Sequence, residues 1–156
     1  MERSDKMAQI YPYLSFENAK EALAYYEEFF GATNIRRVKV EPSQAEEFSI
    51  PLEKLDDTTM HAEFTVLGAE LYCSDSFGND VSPSKQISIM LDVNWEDEQA
   101  LKESNEFFEK LEKSGQVKIS MPYEEQFWGG KMGQFDDKYG ITWMLHAQPY
   151  SEVGKA

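Results

Sequence analysis

The sequence is short of cysteine, of histidine, of basic residues and of long apolar runs, and each shortage closes off a class of function. Its one cysteine, Cys73, cannot form an intrachain disulfide, and it excludes a cysteine-rich zinc site. Fifteen Lys and Arg stand against 29 Asp and Glu, a formal charge of −14. Phosphate backbones and anionic lipid surfaces repel such a chain, so neither nucleic acid nor a membrane surface is an expected partner. No apolar run approaches the roughly 18 residues needed to cross a bilayer. The opening Met1-Glu2-Arg3-Ser4-Asp5-Lys6 leads directly into a strand-like segment without a signal-peptide core, and a reducing cytoplasm is the expected compartment. Aromatic residues are plentiful: ten Phe, eight Tyr and three Trp supply the core of one domain over 1–156.

The order of segments is stated twice. Gln9-Ile10-Tyr11-Pro12-Tyr13-Leu14-Ser15-Phe16 precedes a helical pattern that ends in Glu28-Phe29-Phe30 and Gly31. Gln86-Ile87-Ser88-Ile89-Met90-Leu91-Asp92-Val93 precedes another that carries Glu106-Phe107-Phe108 and closes at Gly115. A strand follows each helix, over 33–40 and 116–121, and then a strand pair, turning at Gly68 within 60–75 and at Gly140 within 131–146. Two units result, about 8–75 and 85–148, each strand, helix, strand, strand, strand. In the first helix Ala19, Ala22, Leu23, Tyr26, Phe29 and Phe30 recur at three and four residues. Asn18 with Glu21 reads as a capping box, Asn94 is the expected cap of the second helix, and Gly31 and Gly115 are expected left-handed stops. The acidic segment 41–59, with Pro42 and Pro51, has no clean period; it reads as a binding loop or as a disordered insertion. The tail after Gln148 is expected to fray.

Alternation assigns the strand faces. Leu14 and Phe16 oppose Tyr11, Tyr13 and Ser15; Ala62, Phe64 and Val66 oppose His61, Glu63 and Thr65. Ile87, Ile89 and Leu91 oppose Ser88, Met90 and Asp92; Ile141, Trp143 and Leu145 oppose Thr142, Met144 and His146. One helix per unit can bury the apolar faces. The opposite faces stay open, with Tyr11, Tyr13, His61, Glu63, Tyr72, Gln134 and His146 on them. A polar and aromatic sheet wall suits a ligand, and equally a solvated surface or a subunit contact. His61 beside Glu63 suits a general base near neutral pH, or a structural hydrogen bond. Trp128, just before Gly129-Gly130, can place an indole over the cavity mouth or anchor a contact. His146, near the end of the last strand, reads as solvated; Trp143 and Cys73 read as core, the thiol inert.

Tyr11-Pro12-Tyr13-Leu14-Ser15-Phe16, Ala22-Leu23-Ala24-Tyr25-Tyr26, Phe30-Gly31, Met60-His61-Ala62-Glu63, Phe127-Trp128-Gly129-Gly130 and Asp137-Lys138-Tyr139-Gly140-Ile141-Thr142-Trp143 together resemble the glyoxalase/bleomycin-resistance/vicinal-oxygen-chelate superfamily. The wording is most similar to its PhnB-like branch, also termed 3-demethylubiquinone-9 methyltransferase-like. The resemblance implies an α+β fold of tandem βαβββ units forming a curved mixed eight-stranded sheet with helices on its outer face. It also implies a homodimer that completes a small-molecule cavity, and in bleomycin-resistance relatives the ligand is a toxin or antibiotic. Metal-using members draw four ligands, typically His and Glu, from the first and last strands of each unit. Here those positions are Tyr11, Tyr72, Ser88 and Met144, without an imidazole or a carboxylate, so no metal is expected. No cofactor is expected either, since no glycine-rich turn joins a strand to a helix. The expected function is metal-free small-molecule binding by Tyr11, Tyr13, His61, Glu63, Tyr72, Trp128 and Gln134, with His61 and Glu63 as the candidates for catalysis. The alternative is a metal-dependent lyase or dioxygenase whose ligand set includes His61 and Glu63.

Overall fold

Strand β1 is Tyr13–Phe16, followed by helix α1 (Ala19–Phe30), β2 (Thr33–Lys39), a short helix α2 (Pro42–Ala45), β3 (Thr59–Val66) and β4 (Ala69–Asp75). The second unit is β5 (Ile89–Asn94), α3 (Glu98–Ser114), β6 (Lys118–Glu125), β7 (Lys131–Asp136) and β8 (Thr142–Gln148). These come from a computed structural model that describes residues 7–154; the leader reading of Met1–Lys6 falls outside the described residues. The doubled order read from the sequence is present, as two four-stranded mixed sheets ordered β1-β4-β3-β2 and β5-β8-β7-β6. In each, the first strand pairs parallel to the last and the other pairs are antiparallel. A parallel partner demands a long crossover, and the helix of each unit lies within it.

Local chemistry sets the helix ends. Asn18 Oδ1 accepts the Glu21 amide at 3.1 Å, and Gly31 stops α1 in the left-handed conformation at φ 67°. The second helix is capped by Asp97, not Asn94: Asp97 Oδ1 accepts the Ala100 amide at 3.1 Å. Asn94 instead receives the amides of Glu96 and Tyr150, closing the turn before α3 and drawing the chain end onto it. Tyr150 and Ser151 are therefore tied rather than frayed, Ser151 being bonded to the Glu96 carboxylate. Ile87, which alternation put on a covered face, lies outside β5 and is exposed, as is Ile10 ahead of β1.

A single core joins the two units. Tyr26 of α1 stacks on Phe64 of the first sheet, while Phe30, one turn on, lies 5.8 Å from Phe135 and 5.1 Å from Trp143 of the second. Phe107, Phe108 and Leu111 of α3 complete the same cluster. Each such side chain, fully buried, contributes about 1.5–3 kcal/mol. Cys73 lies in this core, where burial pushes its thiol up to about 12 and leaves it inert as a nucleophile. The segment 41–59 is neither disordered nor without structure. After α2 it forms a 3₁₀ turn at Leu52–Asp57, held by Lys39–Asp56 and Lys20–Asp57 ion pairs and by Arg37 on the Asp56 carbonyl. Phe48 stacks on Phe77 at 5.2 Å and pins its middle.

At the centre of the core is a buried carboxylate. Asp137 Oδ2 accepts the Tyr26 hydroxyl at 2.5 Å and the Trp143 indole N–H at 2.9 Å; Oδ1 accepts the Tyr139 and Ile141 amides at 2.8 and 3.0 Å. Burial pushes this carboxyl above the ordinary aspartate range, against the pull of its four donors. Asp137→Ala would leave all four without an acceptor. The expected loss is about 3–5 kcal/mol in a urea melt, and a loss under about 1 kcal/mol would contradict this role.

Candidate active site

Sheet pairing brings the open-face residues of unit one into one group. Tyr13 stands opposite Tyr72, Tyr72 opposite Glu63, and Glu63 opposite Arg36, a row across all four strands. His61 sits two residues from Glu63 on the same side, facing Val38. Period-two alternation turns all of these away from α1. Their side chains form a connected chain. The Tyr13 hydroxyl is 3.0 Å from His61 Nδ1, His61 Nε2 is 3.3 Å from Glu63 Oε2, and Arg36 Nη2 donates to that oxygen at 2.8 Å. Tyr11, just before the strand, stacks on Tyr72 with ring centres 4.6 Å apart, and its hydroxyl bonds Gln9. The imidazole packs against the rings of Tyr13 and Tyr72 at 5.7 and 5.3 Å.

Proton placement follows from the donor inventory. The Arg36 guanidinium, with help from His61, holds the Glu63 carboxyl below its usual range, so it is an acceptor only. The hydrogen on the His61–Glu63 bond then belongs to Nε2. In the neutral ring Nδ1 is bare and accepts from the Tyr13 hydroxyl. The outer lone pairs of the Tyr13 oxygen are left for a ligand donor above an aromatic floor.

Unit two offers a second open face. Met90, Met144, Gln134 and Met121 form one row across it, and Asp92, His146, Met132 and Glu124 the next. His146 Nδ1 is 2.7 Å from Asp92 Oδ1, and Gln148 donates to the other carboxylate oxygen at 2.9 Å. Trp128 lies on the β6–β7 loop, half-exposed beside Phe127. Both covered faces pack on the shared core, so both open faces point away from it. A cavity of about 540 Å³ lies elsewhere, beside β1 among Phe16, Glu17, Glu21, Asp80, Pro83 and Tyr139, and shares only Tyr13 with the cluster.

A family model described as 3-demethylubiquinone-9 3-methyltransferase matches residues 8–146. The chain belongs to this family. It is the PhnB-like branch of the glyoxalase/bleomycin-resistance/vicinal-oxygen-chelate superfamily. Protein YjdN of Escherichia coli is 28% identical over 142 residues, covering 86% of this chain and 92% of its own. Among solved structures, protein PA1353 from Pseudomonas aeruginosa is 27% identical at a TM-score of 0.64, covering 91% of this chain and 98% of that one. The PhnB protein from Bacillus cereus is also 27% identical, at a TM-score of 0.56, over 90% and 100% of the two chains.

In this PhnB-like chain the superfamily's metal positions do not fit a divalent ion. Tyr11 and Tyr72 stack on each other, and burial pushes the Tyr72 phenol further above its usual range. Ser88 lies just outside β5, and Met144 offers a thioether. Among the described residues no three of His, Cys, Asp or Glu gather closely enough to hold a metal. Of the seven residues expected to bind ligand, Tyr11, Tyr13, His61, Glu63 and Tyr72 come together; Trp128 and Gln134 belong to the other sheet, where Gln134 bonds Ser120. Two partnerships were missed. Arg36 declares itself only once the β2–β3 register places it opposite Glu63, and Asp92 only once parallel pairing places it beside His146. The shared-face pattern of Asp92 and His146 was visible in the alternation, but strand pairing was not. Arg36→Ala should raise the Glu63 pKa toward its ordinary value in a carboxyl NMR titration; no upward shift would show that the guanidinium does not set it.

Proposed function

We propose that this PhnB-like protein is a metal-free binder of small organic molecules, held between the open face of unit one in one copy and that of unit two in a second. The observation that carries the reading is the uncovered aromatic face itself. Tyr13 and Trp128 are each 52% exposed, and Val38, Met90 and Met121 lie bare on the same two faces. Neither face is enclosed by its own chain, because α1 and α3 occupy the other side. A two-fold axis pairs unit one of each copy with unit two of the other, and closes both sites at once. Trp128 and Gln134 then join Tyr11, Tyr13, Tyr72, His61 and Glu63 from across the interface.

The ligand in this reading is neutral or cationic, steered by the net charge of −14. The Tyr13 oxygen accepts a hydrogen bond from it, and His61, braced by Glu63, is the base that takes the Tyr13 proton where catalysis occurs. The family's name refers to methyl transfer, yet the turns into both helices, Glu17-Asn18 and Trp95-Glu96-Asp97, hold no glycine to cradle a nucleotide-like cofactor. A lyase or dioxygenase reading would need donors that Tyr11, Tyr72, Ser88 and Met144 do not supply.

Sedimentation analysis should find a dimer, and Met121→Glu or Tyr13→Glu should shift it toward monomer. A thermal-shift screen of organic cations, neutral metabolites and divalent metals should return an organic hit. At a hundredfold excess over its Kd that hit stabilises the protein by about 2.7 kcal/mol, an effect lost in His61→Ala. Stoichiometric metal in protein purified without chelator would overturn the reading.

A further inference from the structure

The second unit carries an acid–base pair that the His61 reading does not use. His146 is only 12% exposed, and its Nδ1 meets one oxygen of Asp92 at 2.7 Å. The other oxygen takes the Gln148 amide at 2.9 Å, so both carboxylate oxygens are held, and the Tyr150 hydroxyl donates to the Asp92 backbone carbonyl at 2.8 Å. A carboxylate only accepts, which places the ring hydrogen on Nδ1 and leaves Nε2 a bare lone pair in the neutral imidazole. Nε2 makes no hydrogen bond among the described residues, and it is not sealed from solvent.

Gly130 shows what Nε2 looks toward. A methyl group at this glycine would stand 3.3 Å from His146 Nε2 and 3.1 Å from Trp128 Nε1. The indole N–H is a donor only. A donor and a bare acceptor thus face the same narrow space beside the buried Gly130, which the Ala147 carbonyl also borders at 3.1 Å from that methyl position. Met132 lies opposite His146 in the register and supplies a polarisable thioether wall.

We propose that Asp92, His146 and Trp128 form an acid–base site for a small molecule carrying a hydroxyl group on a flat apolar body. The ligand arrives neutral or cationic, since Asp92 and the overall charge repel an anion. Its O–H bond breaks as the proton passes to Nε2. The electron pair stays on the ligand oxygen, where the Trp128 N–H can hydrogen-bond to it. The imidazolium so formed keeps its Nδ1–H on Asp92, the partner that orients the ring and stabilises the charge.

The pair lies on unit two and shares Trp128 with the cavity proposed above, while the chain's two histidines report on the two units separately. Imidazole ¹⁵N labelling of the full chain gives two spin systems, assigned with His61→Gln and His146→Gln. We expect opposite tautomers: Nδ1–H at His146, Nε2–H at His61. Phenol should move the His146 Nε2 and Trp128 indole signals, while anisole, the same ring without the proton, should act roughly tenfold more weakly. Gly130→Ala should weaken phenol by a similar factor without changing the tautomer, and Asp92→Asn should abolish the Nδ1–H preference. Trp128→Phe, on an exposed loop, removes the donor and supplies the same test should Gly130→Ala fail to fold. An Nε2–H tautomer at His146 overturns the proposal. So does equal action of phenol and anisole, or undiminished phenol binding in both folded variants. An anomaly confined to His61 counts only against the reading of unit one.

Discussion

The two units are joined through one buried carboxylate. Asp137 takes a hydroxyl from α1 of the first unit and an indole from β8 of the second on the same oxygen, while its other oxygen organises the turn it belongs to. In a region of low dielectric, such a group is costly unless each lone pair is used, and strongly directional when it is. The neighbouring Tyr25 repeats the device. Its hydroxyl donates to the Gln116 carbonyl and receives the Lys138 amide, both in unit two, and burial pushes its phenol up to about 12. Hydrophobic burial alone would hold the sheets near each other; these two tyrosines and one aspartate specify how.

That orientation decides which surfaces remain for chemistry. With α1 wedged between the sheets, the apolar faces are used up and the polar-aromatic faces look outward. Unit one has a second clamp of the same kind: Asp75, at the end of β4, accepts the first amide of α1 at 2.8 Å and the Thr59 amide of β3 at 3.1 Å. It fixes the helix against the strand that carries His61 and Glu63. The acidic segment 41–59, tied by Arg37, Lys39 and Lys20, borders this unit as a fixed rim.

The fold was largely legible in the sequence because both of its signals are local. Helix stripes such as Ala22, Leu23, Tyr26 and Phe30, and alternation such as Ala62, Phe64 and Val66, require no knowledge of partners. Five of the seven expected ligand residues assemble for the same reason, since they share one face of neighbouring strands. What stayed illegible depends on pairing or on competition between caps. Arg36 reaches Glu63, and Asp92 reaches His146, through registers that no local pattern encodes. Asp97 rather than Asn94 is the cap because Asn94 still belongs to β5, paired with Gln148, and the helix begins only at Glu98. Segment 41–59 has no period, and its order comes from ion pairs to distant lysines and a stack with Phe77. Trp128 and Gln134 were expected to line the same cavity as the unit-one residues, while the chain places them on or beside the second sheet, which faces away from the first.

The parallel pairing of first with last strand also has a consequence in time. Tyr26 finds its acceptor 111 residues further along, and β5 lies beside a strand, β8, that ends the regular structure. During synthesis on the ribosome, α1 emerges long before Asp137 and Trp143 exist. Tyr26 can already pack on Phe64 of unit one, but Phe30 keeps no partner in unit two until Phe135 and Trp143 have been made. Closure of the junction between the units is thus late and governed by long loops, and a nascent chain stalled before β8 presents an unpaired β5 edge and the Phe30 end of α1 to whatever chaperone is near.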